Sequence, residues 1–237
     1  MKGMLIRVGI DTGAGGTLGP IFDDGTFEFI PIPEDPPSKD DPRWLKYREL
    51  PARSRGVLAD YLPEGLQGKT PHADPEFETP SYGDPTTKKN ILKKLGNGDL
   101  LFFHAGLQPW NTTRYPERAN YIIGYFTVDR VVDFCDYKID SKEFTEEWKR
   151  LHKNFHVGYR EEHCAFVVVG DKKQSHLLTR AFPFTEIRPD KAGRKTVAIR
   201  KDLEDSLGLS GFVQRSIPRL LPEKGVKYLL ASLDSYV

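Results

Sequence analysis

The sequence predicts a β-rich α+β fold: one central mixed sheet or partly closed barrel, with helices packed outside it and one long Pro/Gly-rich loop region. Three observations carry this. Apolar runs rich in Val, Ile, Phe and Tyr recur along the chain and are bounded by Gly, Asn and Asp. One stretch, 141–156, has the cap, length and charge gradient of a good helix. Residues 34–87 are broken by proline and glycine too often to continue a regular element. The chain is read as a single domain over 1–237, with 34–87 as its irregular loop region.

The elements follow in order. MLIRVGI (4–10) reads as a first strand. TFEFIPIP (26–33) reads as a second, because Phe27 and Phe29 alternate with Thr26 and Glu28. With the Asp24-Gly25 turn signal before it, 4–33 is expected to form a wide hairpin with a Gly-rich tip. RSRGVLADYL (53–62) has room for one or two helical turns, and TKKNILKKL (87–95) for a short basic amphipathic helix. NGDLLFFHAGL (97–107) is a buried strand entered by an Asn-Gly turn. NYIIGYFTVDRVVDF (120–134) is a second long strand, or two with a kink near Gly124. In the helix that follows, Ser141 is the expected N-cap, with acidic residues early and basic ones late. CAFVVVGD (164–171) is a buried strand. KQSHLLTRAFPFTEI and RKTVAIRKDLEDSLGL give strand-like and helix-like pieces, and GFVQRSIPRLL (211–221) a short helix or turn.

Composition narrows the function classes. The formal net charge of +1 provides no general attraction to nucleic acid, so any such contact needs a local basic patch. No apolar run approaches the roughly 20 residues that span a bilayer. Cys135 and Cys164 are too few for a disulfide framework and read as two buried thiols of a cytoplasmic protein. Few Cys and Met beside many Lys, Arg and Glu is a composition found in heat-adapted proteins.

The Gly-rich tip, GIDTGAGG (9–16), admits three readings. Asp-Thr-Gly after an apolar strand is similar to an aspartyl protease, but that chemistry needs two carboxylates sharing a proton, and no second Asp-Thr/Ser-Gly follows. Successive Gly amides can cradle an anion, yet no P-loop lysine and no GxGxxG helix follows. The third reading is a turn whose glycines supply positive φ.

The order of the pieces is more specific. Gly9 and Asp11, then Gly15-Gly16, Pro20-Ile21, Asp24-Gly25, Pro31-Ile32-Pro33, Asp74-Pro75, Gly98-Asp99-Leu100 and Ile123-Gly124-Tyr125 resemble, in sequence, the nucleotide modification associated domain 3 family. The resemblance covers residues 5–135 well and the last hundred loosely. His104-Ala105-Gly106 departs from the Gly-Trp of that pattern. A looser similarity over about 30 residues links GDLLFFHAGL and YIIGYFTV to the PUA, ASCH and EVE barrels, which bind RNA or modified bases. The resemblance implies a role in modifying bases, with a nucleotide or nucleic acid as partner, and names neither reaction nor cofactor; the lack of a spanning apolar run leaves no membrane as partner.

Candidate site residues follow from these readings. Asp11 is either a general base or ribose ligand, or only an Asx-turn residue. Thr12, Gly13, Gly15 and Gly16 would contact substrate through the turn. HADPEF places His72, Asp74 and Glu76 in one Pro-pinned loop. His104 ends an apolar strand, followed by Gln108, which can pair with a base edge, and Trp110, which can stack on one. The catalytic set is thus Asp11, Asp74 and His104, and His72, Gln108 and Trp110 join the turn in binding substrate. His152 and His156 sit i, i+4 on one expected helix face, with His163 beyond; no Glu follows the first His, and no metal ligands are assigned. Lys88, Lys89, Lys93 and Lys94 with Arg215, Arg219, Lys224 and Lys227 form a candidate phosphate-tracking surface. Two functions emerge: an enzyme whose Asp11, Asp74 and His104 converge on one pocket, or a PUA-like reader that stacks a flipped base on Trp110.

Overall fold

A computed structural model describes residues 1–35, 42–213 and 217–237. The PPSKDD part of the Pro/Asp-rich segment, and Arg215 of the basic surface, lie outside the described residues.

In chain order the elements begin with β1 (Gly3–Arg7), β2 (Gly19–Ile21), β3 (Ile32–Glu34) and α1 (Glu64–Gln67). They continue through β4 (Thr70–His72), β5 (Ser81–Gly83), α2 (Lys89–Leu92), β6 (Leu100–Pro109) and β7 (Ala119–Asp133). After α3 (Lys142–Arg150) come β8 (Phe166–Gly170), β9 (His176–Pro183), β10 (Thr185–Pro189) and β11 (Lys195–Ile199). The chain closes with α4 (Lys201–Leu207), β12 (Arg219–Leu221) and α5 (Glu223–Leu233).

These build one mixed eight-stranded sheet, ordered β12-β1-β6-β7-β8-β5, with β2 also on β6 and β9 also on β7; it does not close into a barrel. The expected β-rich α+β class holds. The two longest apolar runs make its centre: Leu101, Phe102, Phe103, Ile122, Ile123 and Phe126 have no exposed surface. Continuous apolar runs of this kind suit strands covered on both faces. The kink in β7 is real: its register on β6 shifts between Phe103 and His104, and on β9 between Ile122 and Gly124.

The expected hairpin over 4–33 does not form. β1 and β2 never pair with each other; both lie parallel along the same edge of β6, Arg7 opposite His104 and Gly19 opposite Leu107. Residues between them loop out and return. Phe27 makes only an isolated bridge to Ile21, so TFEFIPIP contributes strand only at its end, in β3. A local alternation pattern cannot reveal that β1 and β2 find their partner far along the chain, as Arg7 does at His104 and Gly19 at Leu107.

The described part of 34–87 is irregular over most of its length, with short elements set into it. It carries α1, β4, β5 and two 3-10 turns, and packs a small core of its own around Ile10, Ile30, Tyr47, Leu58, Tyr61 and Leu62. Buried Glu28 accepts the backbone N–H groups of Arg53 and Ser54, which ties this layer to the first segment. GFVQRSIPRLL likewise ends in β12, an edge strand antiparallel to β1, rather than in a helix.

α3 begins where expected, with the Ser141 hydroxyl accepting the Phe144 N–H. It stops at Arg150, earlier than expected. Asn154 then starts a separate π turn, Phe155–Tyr159, accepting the His156 N–H. Cys135 and Cys164 correct a second expectation: both are exposed, not buried, and are joined as a disulfide with Cα atoms 4.5 Å apart. No helix among the described residues is long and apolar enough to cross a membrane.

Candidate functional site

The Gly-rich turn satisfies itself. One carboxylate oxygen of Asp11 accepts the N–H groups of Gly13 (2.8 Å) and Ala14 (2.7 Å), while the Gly16 N–H bonds to the Asp11 carbonyl. The second oxygen lies 3.5 Å from the Arg7 guanidinium. Three of the amides that would cradle an anion, those of Gly13, Ala14 and Gly16, are therefore engaged by Asp11. Thr12 is exposed at the rim of an open cavity of about 650 Å³, whose lining also includes Arg7, Arg118, Lys191 and Lys195.

His104 is buried in the sheet and lines neither this cavity nor the one described below. Its ring packs against Phe184, and burial, aided by Arg7 and Arg219, pushes its imidazole down to about 3. The sign of the consequence is definite. Below about pH 6.5 the unfolded chain takes up a proton that the folded chain refuses, so acid favours unfolding down to about pH 3. Between about pH 7 and about pH 4, the thermal midpoint of the wild type is expected to fall further than that of His104→Leu, a difference scanning calorimetry measures directly. Equal falls would show that His104 titrates normally.

Gln108 donates to the Thr17 hydroxyl at 3.4 Å, and Trp110 packs edge-on against Tyr61 at 5.3 Å beside the small core of the 42–87 layer. Three members of the basic surface stand in ion pairs: Lys88 with Asp84, Lys93 with Asp133 and Lys227 with Glu223.

The chemistry gathers elsewhere, around the HADPEF loop. A cavity of about 290 Å³ is lined by β3, β4, β5 and the π turn, and includes Arg7, Glu34, His72, Asp74, Lys88, His156, Arg160 and Glu162. Asp74 is buried; one of its oxygens accepts the Gly83 N–H at 2.9 Å, and the other has no hydrogen-bond partner among the described residues. His156 Nε2 lies 3.6 Å from the first oxygen and 3.2 Å from His72 Nε2. On the far side of each ring, Glu34 accepts from His72 Nδ1 at 3.0 Å and Glu162 from His156 Nδ1 at 2.9 Å. Arg160 pairs in turn with Glu34. Burial raises the Asp74 carboxyl well above the ordinary carboxylate range. It also pushes the His156 imidazole down to about 4, with His72 adding to the effect.

The sequence expectations meet this pocket in part. His72 and Asp74 stand in it together; Asp11 and His104 do not line it. Glu76 turns back to cap its own loop at the Thr79 N–H. The expected helix face shared by His152 and His156 is absent: His152 is exposed beyond α3, its Nδ1 near the Lys149 carbonyl, while His156 is buried on the π turn. Sequence reasoning missed His156 as the partner of His72, and missed Glu34 and Glu162, which brace the two rings. The available signal was Asn154, a cap residue inside the expected helix. Among the described residues, His72, Asp74 and His156 are the group whose geometry can hold a metal ion, their donor atoms lying within 4.8 Å of one another.

Fold and site together define a mixed-sheet protein with a polar pocket of braced imidazoles and a buried carboxylate. Residues 2–206 of the 237 match the family described as nucleotide modification associated domain 3, and the chain belongs to that family. The family's name ties it to nucleotide modification. Comparison with curated proteins and with solved structures finds no match.

Proposed function

We propose that the protein is an enzyme that modifies a nucleotide, or a base within a nucleic acid, and that its reacting centre is the pocket of His72, Asp74 and His156. The observation that carries this is the bracing of two inward-facing imidazoles by Glu34 and Glu162 beside the buried Asp74. Holding polar groups buried and converging costs stability, and such arrangements mark sites of chemistry. A reader needs none of it; a stacking slot beside a basic groove suffices. Trp110, the aromatic such a reader would use, packs instead against Tyr61.

Arg7 lines both cavities, which places the larger, lysine- and arginine-bearing one next to the centre. On this reading phosphates of a polynucleotide rest in the larger cavity while the reacting nucleoside enters the smaller. Asp11 then serves as a positioning residue, orienting Arg7 from the Gly-rich turn.

Asp74→Asn tests the centre, since its amide oxygen can still accept the Gly83 N–H. Mass spectrometry of nucleosides from tRNA, DNA and the free pool is expected to reveal one species lost on gene deletion. Wild type restores it, and Asp74→Asn restores no more than about a hundredth of it. If deletion alters no nucleoside, the enzyme reading is wrong. If Asp74→Asn restores the species fully, the reacting centre lies elsewhere.

A further inference from the structure

We propose that His72 Nε2, His156 Nε2 and the Asp74 carboxylate bind one divalent transition-metal ion, Zn²⁺ foremost, with a coordination position left open to the pocket. A carboxylate accepts but does not donate, so Glu34 and Glu162 fix the proton of each ring on Nδ1. Both Nε2 atoms then carry lone pairs, and these face each other at 3.2 Å. Two lone pairs at that distance repel unless something positive lies between them. A proton on one Nε2 would serve the pair alone and would leave the second Asp74 oxygen without a partner among the described residues. A metal ion engages all three groups.

The distances agree. Two metal–imidazole bonds of about 2.0–2.1 Å at a near-tetrahedral angle separate the nitrogens by about 3.3 Å. The imidazole–carboxylate pairs behind the ligands are the usual outer support of a metal-bound histidine, setting tautomer and ring orientation. His72 is further held by stacking on Phe155, at 4.0 Å between ring centres. One donor atom from each of the three residues lies within 4.8 Å of the other two. Two imidazoles and one carboxylate suit zinc, or ferrous iron, better than magnesium or calcium. Three protein ligands with an open position is the arrangement of a metal that meets substrate, not of one that only staples a fold. The inference deepens the proposed function by rooting the same pocket in a metal, and it fails separately from that reading.

The test uses the full chain, stripped with chelator and titrated with Zn²⁺ by calorimetry, with bound metal counted by elemental analysis. About one Zn²⁺ per chain is expected, at least about 100-fold tighter than Mg²⁺. His72→Ala and His156→Ala are expected to weaken binding at least about 100-fold, and Glu34→Gln about 10–100-fold. His152→Ala, outside the cluster, leaves binding unchanged. Circular dichroism checks the fold of each variant. Should a variant unfold, the visible spectrum of the Co²⁺-loaded wild type decides: d–d bands of mixed nitrogen and oxygen ligation are expected. Wild type that takes up neither Zn²⁺ nor Co²⁺, or full Zn²⁺ affinity in folded His72→Ala, overturns the proposal. Metal binding without any effect of gene deletion on nucleosides sinks only the enzyme reading. Loss of modification in Asp74→Asn by a chain that binds no metal sinks only the metal.

Discussion

Phe103→Ala is expected to destabilise the protein by about 3–5 kcal/mol, more than any substitution on the surface. Phe103 has no exposed surface and sits at the middle of β6, the strand that both β1 and β7 flank. Its ring meets Phe126 at 4.6 Å, Phe77 at 5.6 Å and Tyr82 at 5.7 Å. Truncation removes the transfer energy of the ring and leaves a cavity that three rings and two strands cannot collapse to fill. Phe103→Leu, which keeps much of the volume, is expected to cost well under half as much. Urea unfolding followed by circular dichroism gives both numbers. A cost below about 1 kcal/mol for the alanine variant would show that this cluster is not the core. The loss also reaches the pocket, because Tyr82 contacts Phe103 on one side and lines the cavity of His72 and Asp74 on the other.

That core was legible in the sequence for a simple reason. LLFF and YIIGYF are apolar on both faces, and such runs have few places to go except a covered sheet. Ser141 was legible for a similar reason, since an N-cap is a local bond within four residues. What stayed hidden depends on distant partners. β1 and β2 both pair with β6, so the apparent hairpin over 4–33 dissolved into two separate strands laid along it. The end of α3 at Arg150 carries no proline or glycine to announce it, and the i, i+4 spacing of His152 and His156 therefore suggested a shared face. Cys135 and Cys164 are 29 residues apart, and nothing in their spacing brings their Cα atoms to 4.5 Å. The final helix, α5, is announced only by Pro222-Glu223 at its start, while Lys224 and Lys227 give the same stretch the look of a basic surface. The pocket was half visible. HADPEF declared its chemistry through residue type and a pinned loop, whereas His156 arrives from 84 residues further along the chain.

Gly83→Ala is expected to leave the fold standing and to weaken Zn²⁺ binding about 10–100-fold, with base modification lost in step. A Cβ on Gly83 would lie 2.4 Å from His156 Cδ2 and 3.0 Å from the Asn154 side-chain oxygen. One of these must give. Asn154 is fully buried, bonded to Ser81 and to the His156 N–H, so the imidazole is the part that moves. Its backbone cannot retreat with it. The π turn is already closed around Gly158, where a Cβ would stand 1.6 Å from the His152 carbonyl oxygen. The ring therefore rotates away from His72, and the 3.2 Å approach of the two Nε2 atoms opens. The strand itself tolerates the change: alanine keeps the Gly83 N–H bond to Asp74 and the β5–β8 pairing, at a stability cost of about 1–3 kcal/mol for the added methyl. The thermal midpoint and Zn²⁺ affinity of one preparation separate the two effects. A folded Gly83→Ala that binds Zn²⁺ as tightly as wild type would mean that His156 is not a ligand. The glycine would then serve only the packing of β5 against the π turn.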